Sequence, residues 1–233
     1  MPKNNQTDKV ANPRELRTSI SFIDNIRFVV SNYGIVLVFL FLCAVLYIAT
    51  PTFMLPTNIV NVLRQTSING ILSIGMTFVI LTGGIDLSVG SILAFSGIVA
   101  ASFTSTAFNV FPLPVSISLG LLAGTVLGLV SGLIVAKWKI PAFVVTLGML
   151  SIARGLTFIY TNGMPVPNLT EEFVYLGQGV IFGIPLPVLI LAFVFIFAWI
   201  VLYKTRFGRY VYAVGGNEKS AKISGVNTRL VIF

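Results

Sequence analysis

The chain has 233 residues, 56% hydrophobic and only 9% charged, with a formal net charge of +8 at neutral pH. Soluble domains carry roughly 25% charged residues, so the composition excludes an ordinary water-soluble globule. Its uncharged runs reach the roughly 20 residues that span hydrocarbon and are continuous rather than alternating, which excludes a transmembrane barrel and predicts an all-α, polytopic integral membrane protein.

Taken in order, residues 1–27 are polar and mixed in charge and read as a soluble tail, with no pattern of a cleaved signal peptide. Residues 28–233 form the membrane domain. The first predicted span is Tyr33–Ala49, starting as early as Phe28, and Pro51 and Pro56 close it because proline does not continue a helix cheaply. Ile59–Leu81 is the second span and Leu87–Ala107 the third. A loop through Asn109 and Pro112 leads to the fourth, Pro114–Ala136. Lys137-Trp138-Lys139 is a tight turn before the fifth, Ile140–Tyr160. A loop rich in Gly, Pro and acids, 161–179, precedes the sixth, Ile181–Tyr203. A basic loop, 204–229, follows, and an apolar run starts at Leu230.

Lys and Arg placement orients these six spans with both ends inside. Lys137, Lys139, Lys204, Arg206, Arg209, Lys219, Lys222 and Arg229 then fall on the inner side with the basic tail. Outer loops carry no Lys or Arg but hold Glu171 and Glu172. This placement of charge is a topology signal and argues against a nucleic-acid partner. Histidine is absent and Cys43 is the single cysteine, so His-based acid–base chemistry, an internal disulfide and a His-containing metal site are excluded. No metal site is predicted.

Three stretches carry chemistry. The fourth span has small residues at every fourth position (Ser116, Gly120, Gly124, Gly128, Gly132, Ala136), a ridge along which another helix can approach closely. The second span has Asn61, Gln65, Asn69, Ser73 and Thr77 at the same spacing, with Arg64 beside them. Such a stripe faces other helices or a wet cavity, and donor–acceptor side chains suit a neutral polyhydroxylated solute. Interhelical hydrogen bonding without a solute is the open alternative.

Between spans two and three lies Gly83-Gly84-Ile85-Asp86-Leu87-Ser88, with the only acidic residue between Asp24 and Glu171. A carboxylate is expensive at membrane depth and marks a candidate site. The glycines can take the left-handed conformation that ends a helix. Asp86 is then placed to N-cap the third helix, to pair with Arg154 or Arg64, or to meet a solute at the helix N-terminus.

The residues Gln65-Thr66-Ser67, the run Gly75–Ser91, Ala142–Leu147, Arg154-Gly155, Tyr160–Gly163 and Thr205–Glu218 together resemble the membrane permease of bacterial ribose-type ABC sugar importers, from about Phe28 to the end. The resemblance implies a permease in the bacterial inner membrane that forms a dimeric pore with a second copy. It also implies an extracytoplasmic sugar-binding protein and a cytoplasmic ATPase with two nucleotide sites holding ATP and Mg. No G-x-x-x-x-G-K-[ST] stretch occurs here, so ATP hydrolysis is expected in that separate subunit and no cofactor in this chain. Family members continue past this point with further spans and a second glycine-rich segment, so the chain is expected to be partial.

On this reading Asn61, Gln65, Asn69, Ser73, Thr77, Gly83, Gly84, Asp86, Ser88 and Arg154 form the substrate pathway or its gate. Arg206, Gly208, Arg209, Gly215, Gly216, Asn217, Glu218, Lys219, Ala221 and Gly225 couple to the ATPase. Asn217 can cap a short helix that Gly225 ends, exposing Ala221 and Ile223 among lysines as a docking face. A basic loop that only sets topology is the plainer alternative for this segment. The predicted function is translocation of a monosaccharide, ribose or a related sugar. The alternative is an ion-coupled secondary transporter or channel, for which Asp86 is the available intramembrane carboxylate. A membrane enzyme finds no nucleophile–base pair or ligand cluster.

Overall fold

The computed structural model describes residues 13–107 and 111–233; residues 1–12 of the expected tail, and Asn109 of the expected loop, lie outside the described residues. The chain divides into two units, residues 1–59 and 60–233. In the first, α1 (Pro13–Ala49) runs unbroken for 37 residues. It begins inside the stretch read as a tail, because no Gly or Pro lies between Arg14 and Tyr33 to stop it. Its segment Val30–Ala49 is long and apolar enough to cross a membrane.

The second helix, α2 (Pro56–Leu81), starts in the first unit and continues through the second. There follow α3 (Val89–Ser102), α4 (Leu113–Trp138) and α5 (Ala142–Thr161). Next come a short helix α6 (Glu171–Gln178), a hairpin of β1 (Val180–Ile181) and β2 (Ile184–Pro185), and α7 (Leu186–Lys204). The segment after α7 folds as α8 (Arg206–Gly216), α9 (Glu218–Ile223) and α10 (Thr228–Ile232). The part of α1 named above, α4, α5 and α7 have the length and apolarity of membrane spans. With α2 comparably long and α3 apolar throughout, the chain is a polytopic all-α membrane protein.

Two expected boundaries are corrected. The third span was expected over Leu87–Ala107, but α3 has 14 residues. At about 1.5 Å per residue it rises only about 21 Å, short of the roughly 30 Å of hydrocarbon. It stops because the residues after Ser102 pair with the loop before α6. The Ser105 hydroxyl donates to the Pro167 carbonyl (2.6 Å), Thr106 N–H to Asn168 O (3.0 Å) and Thr170 N–H to Thr104 O (3.1 Å). The sixth span begins at Leu186 rather than Ile181. Phe182 and Gly183 both take positive φ at the hairpin tip, the backbone that a two-residue β-turn requires.

The second unit is built on α3, which packs against both α4 and α5. Its core there is made mostly of small side chains: Val99, Ala100, Ala101 and, from α5, Ala153 are buried, with Met149 beside them. Small residues let membrane helices approach where no hydrophobic driving force exists between them. The α4 ridge divides into parts. A Cβ on Gly120 would sit 2.7 Å from both Ser96 O and Ala100 Cβ, and one on Gly124 would sit 3.2 Å from Ser96 Cβ. Gly132 abuts Phe233, whereas Gly128 has no neighbour within 4 Å and faces open space. Gly128 therefore packs on no helix among the described residues.

This contrast is testable by thermal unfolding in detergent. Gly120→Ala is expected to destabilise by about 1–3 kcal/mol through overpacking. Gly128→Ala is expected to be neutral or to stabilise by up to about 1 kcal/mol through helix propensity.

Candidate functional site

The end of α2 is closed by a complete glycine cap. Gly83 takes φ +81°; its N–H donates to Ile80 O (2.9 Å) and the Gly84 N–H to Val79 O (3.0 Å). These are the paired bonds of a Schellman motif, which satisfies carbonyls a helix end otherwise leaves unpaired. Gly84 has ordinary φ, but a Cβ there would meet Val79 Cγ1 at 3.1 Å and Val79 O at 3.3 Å.

Asp86 does not cap α3. The N-cap position belongs to Ser88, which is buried and makes no side-chain cap bond. The Asp86 carboxylate instead closes an Asx turn, with Oδ1 accepting the Ser88 N–H (2.7 Å) and the Ser88 hydroxyl (2.6 Å). A carboxylate reaches the N–H two residues on, and here that N–H still lies before the helix. Neither expected arginine partner is at hand. Arg64 donates to Asn61 Oδ1 (3.2 Å) and to the Gln178 carbonyl at the end of α6 (2.6 Å). Arg154 is exposed on α5, more than two turns beyond Thr146.

The polar stripe is differently placed. Asn61, Gln65, Asn69, Ser73 and Thr77 are all exposed. Ser73 and Thr77 donate to carbonyls one turn back in α2 (2.7 and 2.8 Å), while buried Ser67 and Gly70, close against Leu191 of α7, mark the inward side. Among the described residues the stripe packs on no other helix, which leaves a wet cavity or a helix outside this chain as what it faces. It is one open, hydrogen-bonding face.

The segment after α7 is tightly specified. Thr205 caps α8 by accepting the Gly208 N–H (3.3 Å), and Gly208 is buried where a Cβ would overlap the Leu202 backbone. Asn217 caps α9 by accepting the Ser220 N–H (2.9 Å), and Glu218 accepts the Thr228 hydroxyl (3.2 Å). Gly225, at φ +86°, ends α9 with a second Schellman pair: Gly225 N–H to Lys222 O (3.1 Å) and Val226 N–H to Ala221 O (3.0 Å). The exposed face is corrected: Ala221 is 5% exposed and Ile223 88%. Ala221 lies on the inner side of a helix too short for periodicity to reveal. Arg206, Arg209, Gly216 and Lys219 are exposed.

The two candidate regions meet. A Cβ on Gly215 would overlap the Leu81 carbonyl oxygen at the end of α2, and Phe207 stacks on Phe78 with ring centroids 6.5 Å apart. Between the break, the ends of α4 and α5 and residues 218–233 lies a cavity of about 980 Å³. Lys139, Lys219, Lys222 and Arg229 line it, with Asp86 and Glu218 as its carboxylates. Thr146, in the Ala142–Leu147 run, carries no predicted role of its own. It is buried, accepts the Leu87 N–H (3.2 Å) and lies 3.2 Å from Ile85 O. A lone threonine in an apolar helix gives no sequence signal for this.

Comparison with known proteins places this architecture. Residues 58–233 match the family described as branched-chain amino acid transport system / permease component. The chain belongs to this family. It is therefore a multi-pass inner-membrane protein of a permease family. Ribose import permease proteins of Haemophilus influenzae and Escherichia coli K12 are each 45% identical to it, over 82% of this chain and 59% and 60% of their own lengths. An L-arabinose ABC transporter permease protein of Azospirillum brasilense is 40% identical, over 84% of this chain and 57% of its own. The chain thus spans somewhat under two thirds of the length of the curated relatives it matches. No solved structure matches it.

Docking of α8 on α2 predicts a sharp difference between adjacent glycines. Gly215→Val is expected to accelerate tryptic cleavage within 204–229 several-fold in permeabilised membranes, because a Cβ there must displace backbone. Gly216→Val, with nothing within 4 Å, is expected to leave the cleavage rate unchanged.

Proposed function

We propose that this chain is part of the permease subunit of an ATP-binding-cassette importer that carries a monosaccharide, ribose or a related sugar, across the bacterial inner membrane. The observation that carries the reading is the direct seating of α8 on the end of α2, at Gly215 and Leu81, joined to 45% identity with permeases named for ribose import. A movement of the basic segment would be delivered straight to the break at Asp86.

The partners follow from the same reading. A cytoplasmic ATPase, holding ATP and Mg, docks on 204–229, and an extracytoplasmic sugar-binding protein delivers the solute. A second permease copy completes the pathway opposite the open α2 face. Basic residues cluster at the end of the second unit that holds the cavity, while the loops around 103–107 and 161–186 carry none. Positive charge favours the cytoplasmic side, so the cavity faces the cytoplasm, as does the N-terminus. The amides and hydroxyls of Asn61, Gln65, Asn69, Ser73 and Thr77 both donate and accept, which suits sugar hydroxyls. Nucleotide-driven closure of the ATPases shifts the break between two states, because a ligand moves an equilibrium only through differential affinity.

Uptake of labelled ribose by cells expressing the permease from its own gene cluster is expected to stop on ATP depletion and to survive a protonophore. The reverse result supports ion-coupled transport through Asp86 instead. For the dock, Lys219→Glu with Ile223→Asp is expected to abolish co-purification of the ATPase while membrane insertion is retained. Ile223 is exposed and suits this test, whereas a charge at buried Ala221 would disrupt the segment it is meant to probe.

A further inference from the structure

Leu87 and Ile85 flank Asp86, and one side chain of another helix touches the backbone of both. The Thr146 hydroxyl of α5 accepts the Leu87 N–H at 3.2 Å and approaches Ile85 O at 3.2 Å, Ala142 O at 2.9 Å and Phe143 O at 3.3 Å. A hydroxyl has one proton and two lone pairs. Its proton therefore serves either its own helix or the break, while its lone pair holds the Leu87 N–H in both cases. The site is tight, with Thr146 only 4% exposed and Ala142 Cβ 3.8 Å from where a Gly84 Cβ would stand.

We propose that Thr146 is the positioning residue of the Asp86 turn, its hydroxyl holding the break against α5 and redirecting its O–H hydrogen bond between Ala142 O and Ile85 O when α8 moves the end of α2. The transport role of this movement rests on the importer reading above; the positioning itself does not. The break is constrained on one side by Gly215 against Leu81 O and on the other by Thr146, so Asp86 sits between an input and an anchor.

The test reads local geometry first. Ile85 is 55% exposed and lines the cavity. In the full chain with its single thiol removed by Cys43→Ser, an Ile85→Cys reporter is labelled with a maleimide in detergent-permeabilised vesicles. Thr146→Val keeps the shape but removes the acceptor, and is expected to raise the labelling rate about three- to tenfold, the scale of one lost hydrogen bond. Thr146→Ser retains the hydroxyl and is expected to stay within about twofold of the parent. Thr157→Val is the control: Thr157 is also buried in α5 and its hydroxyl bonds only to Ala153 O one turn back (2.8 Å), so the rate is expected to stay at the parent value. Equal rates in Thr146→Val and the parent overturn the proposal, as do equal increases in the Val and Ser variants or an increase in the Thr157 control. In the assembled importer, Thr146→Val is expected to lower sugar taken up per ATP hydrolysed several-fold, with Thr146→Ser restoring it; an unchanged ratio overturns the redirection of the hydrogen bond. Absence of any ATP-driven uptake in the parent defeats the importer reading alone and leaves the labelling result standing.

Discussion

A helix that stops inside a membrane protein must hand its freed N–H and C=O groups to other partners, since hydrocarbon offers none. The break between α2 and α3 meets this constraint with three devices in six residues. Gly83 and Gly84 fold back onto Ile80 and Val79, Asp86 takes the Ser88 N–H, and Thr146 takes the Leu87 N–H. Because α3 starts where these bonds end, its register against α4 and α5 depends on them. In that register Val99, Ala100, Ala101 and Ala153 are buried.

The same constraint explains where α8 goes. Leu81 O lies at the last turn of α2, and only a glycine lets another backbone come this close to it. Gly215 fills that place, and the Phe78–Phe207 stack adds a second contact between the two helices. The capped helices that follow form part of the cavity wall and place Lys219, Lys222 and Arg229 in its lining. Asp86 shares the cavity lining with these cations, and its carboxylate is taken up by the Ser88 N–H and hydroxyl.

Local rules made much of this legible. Gly83 as a helix terminator, Asn217 as a cap and Gly225 as a stop depend on the residue's own conformational freedom or reach, and each occurs at its expected position. What was misjudged depended on partners distant in the chain. The shortness of α3 comes from loop pairing with residues more than 60 positions away. The inward turn of Ala221 comes from packing that a six-residue helix cannot encode as a period. Asp86 failed as a cap by two residues, a distinction set by where the helix starts rather than by the motif.

By itself, the sequence determined the class, the approximate spans, the helix stops and the family, because hydropathy, proline and glycine act through the covalent chain and its solvent. Only the tertiary structure decided that the basic segment rests on the break, that the α2 stripe is open, and that Thr146 holds the backbone around Asp86. Those are meetings between residues tens of positions apart, fixed by close approach at Gly215 and by single hydrogen bonds that leave no periodic trace along the chain.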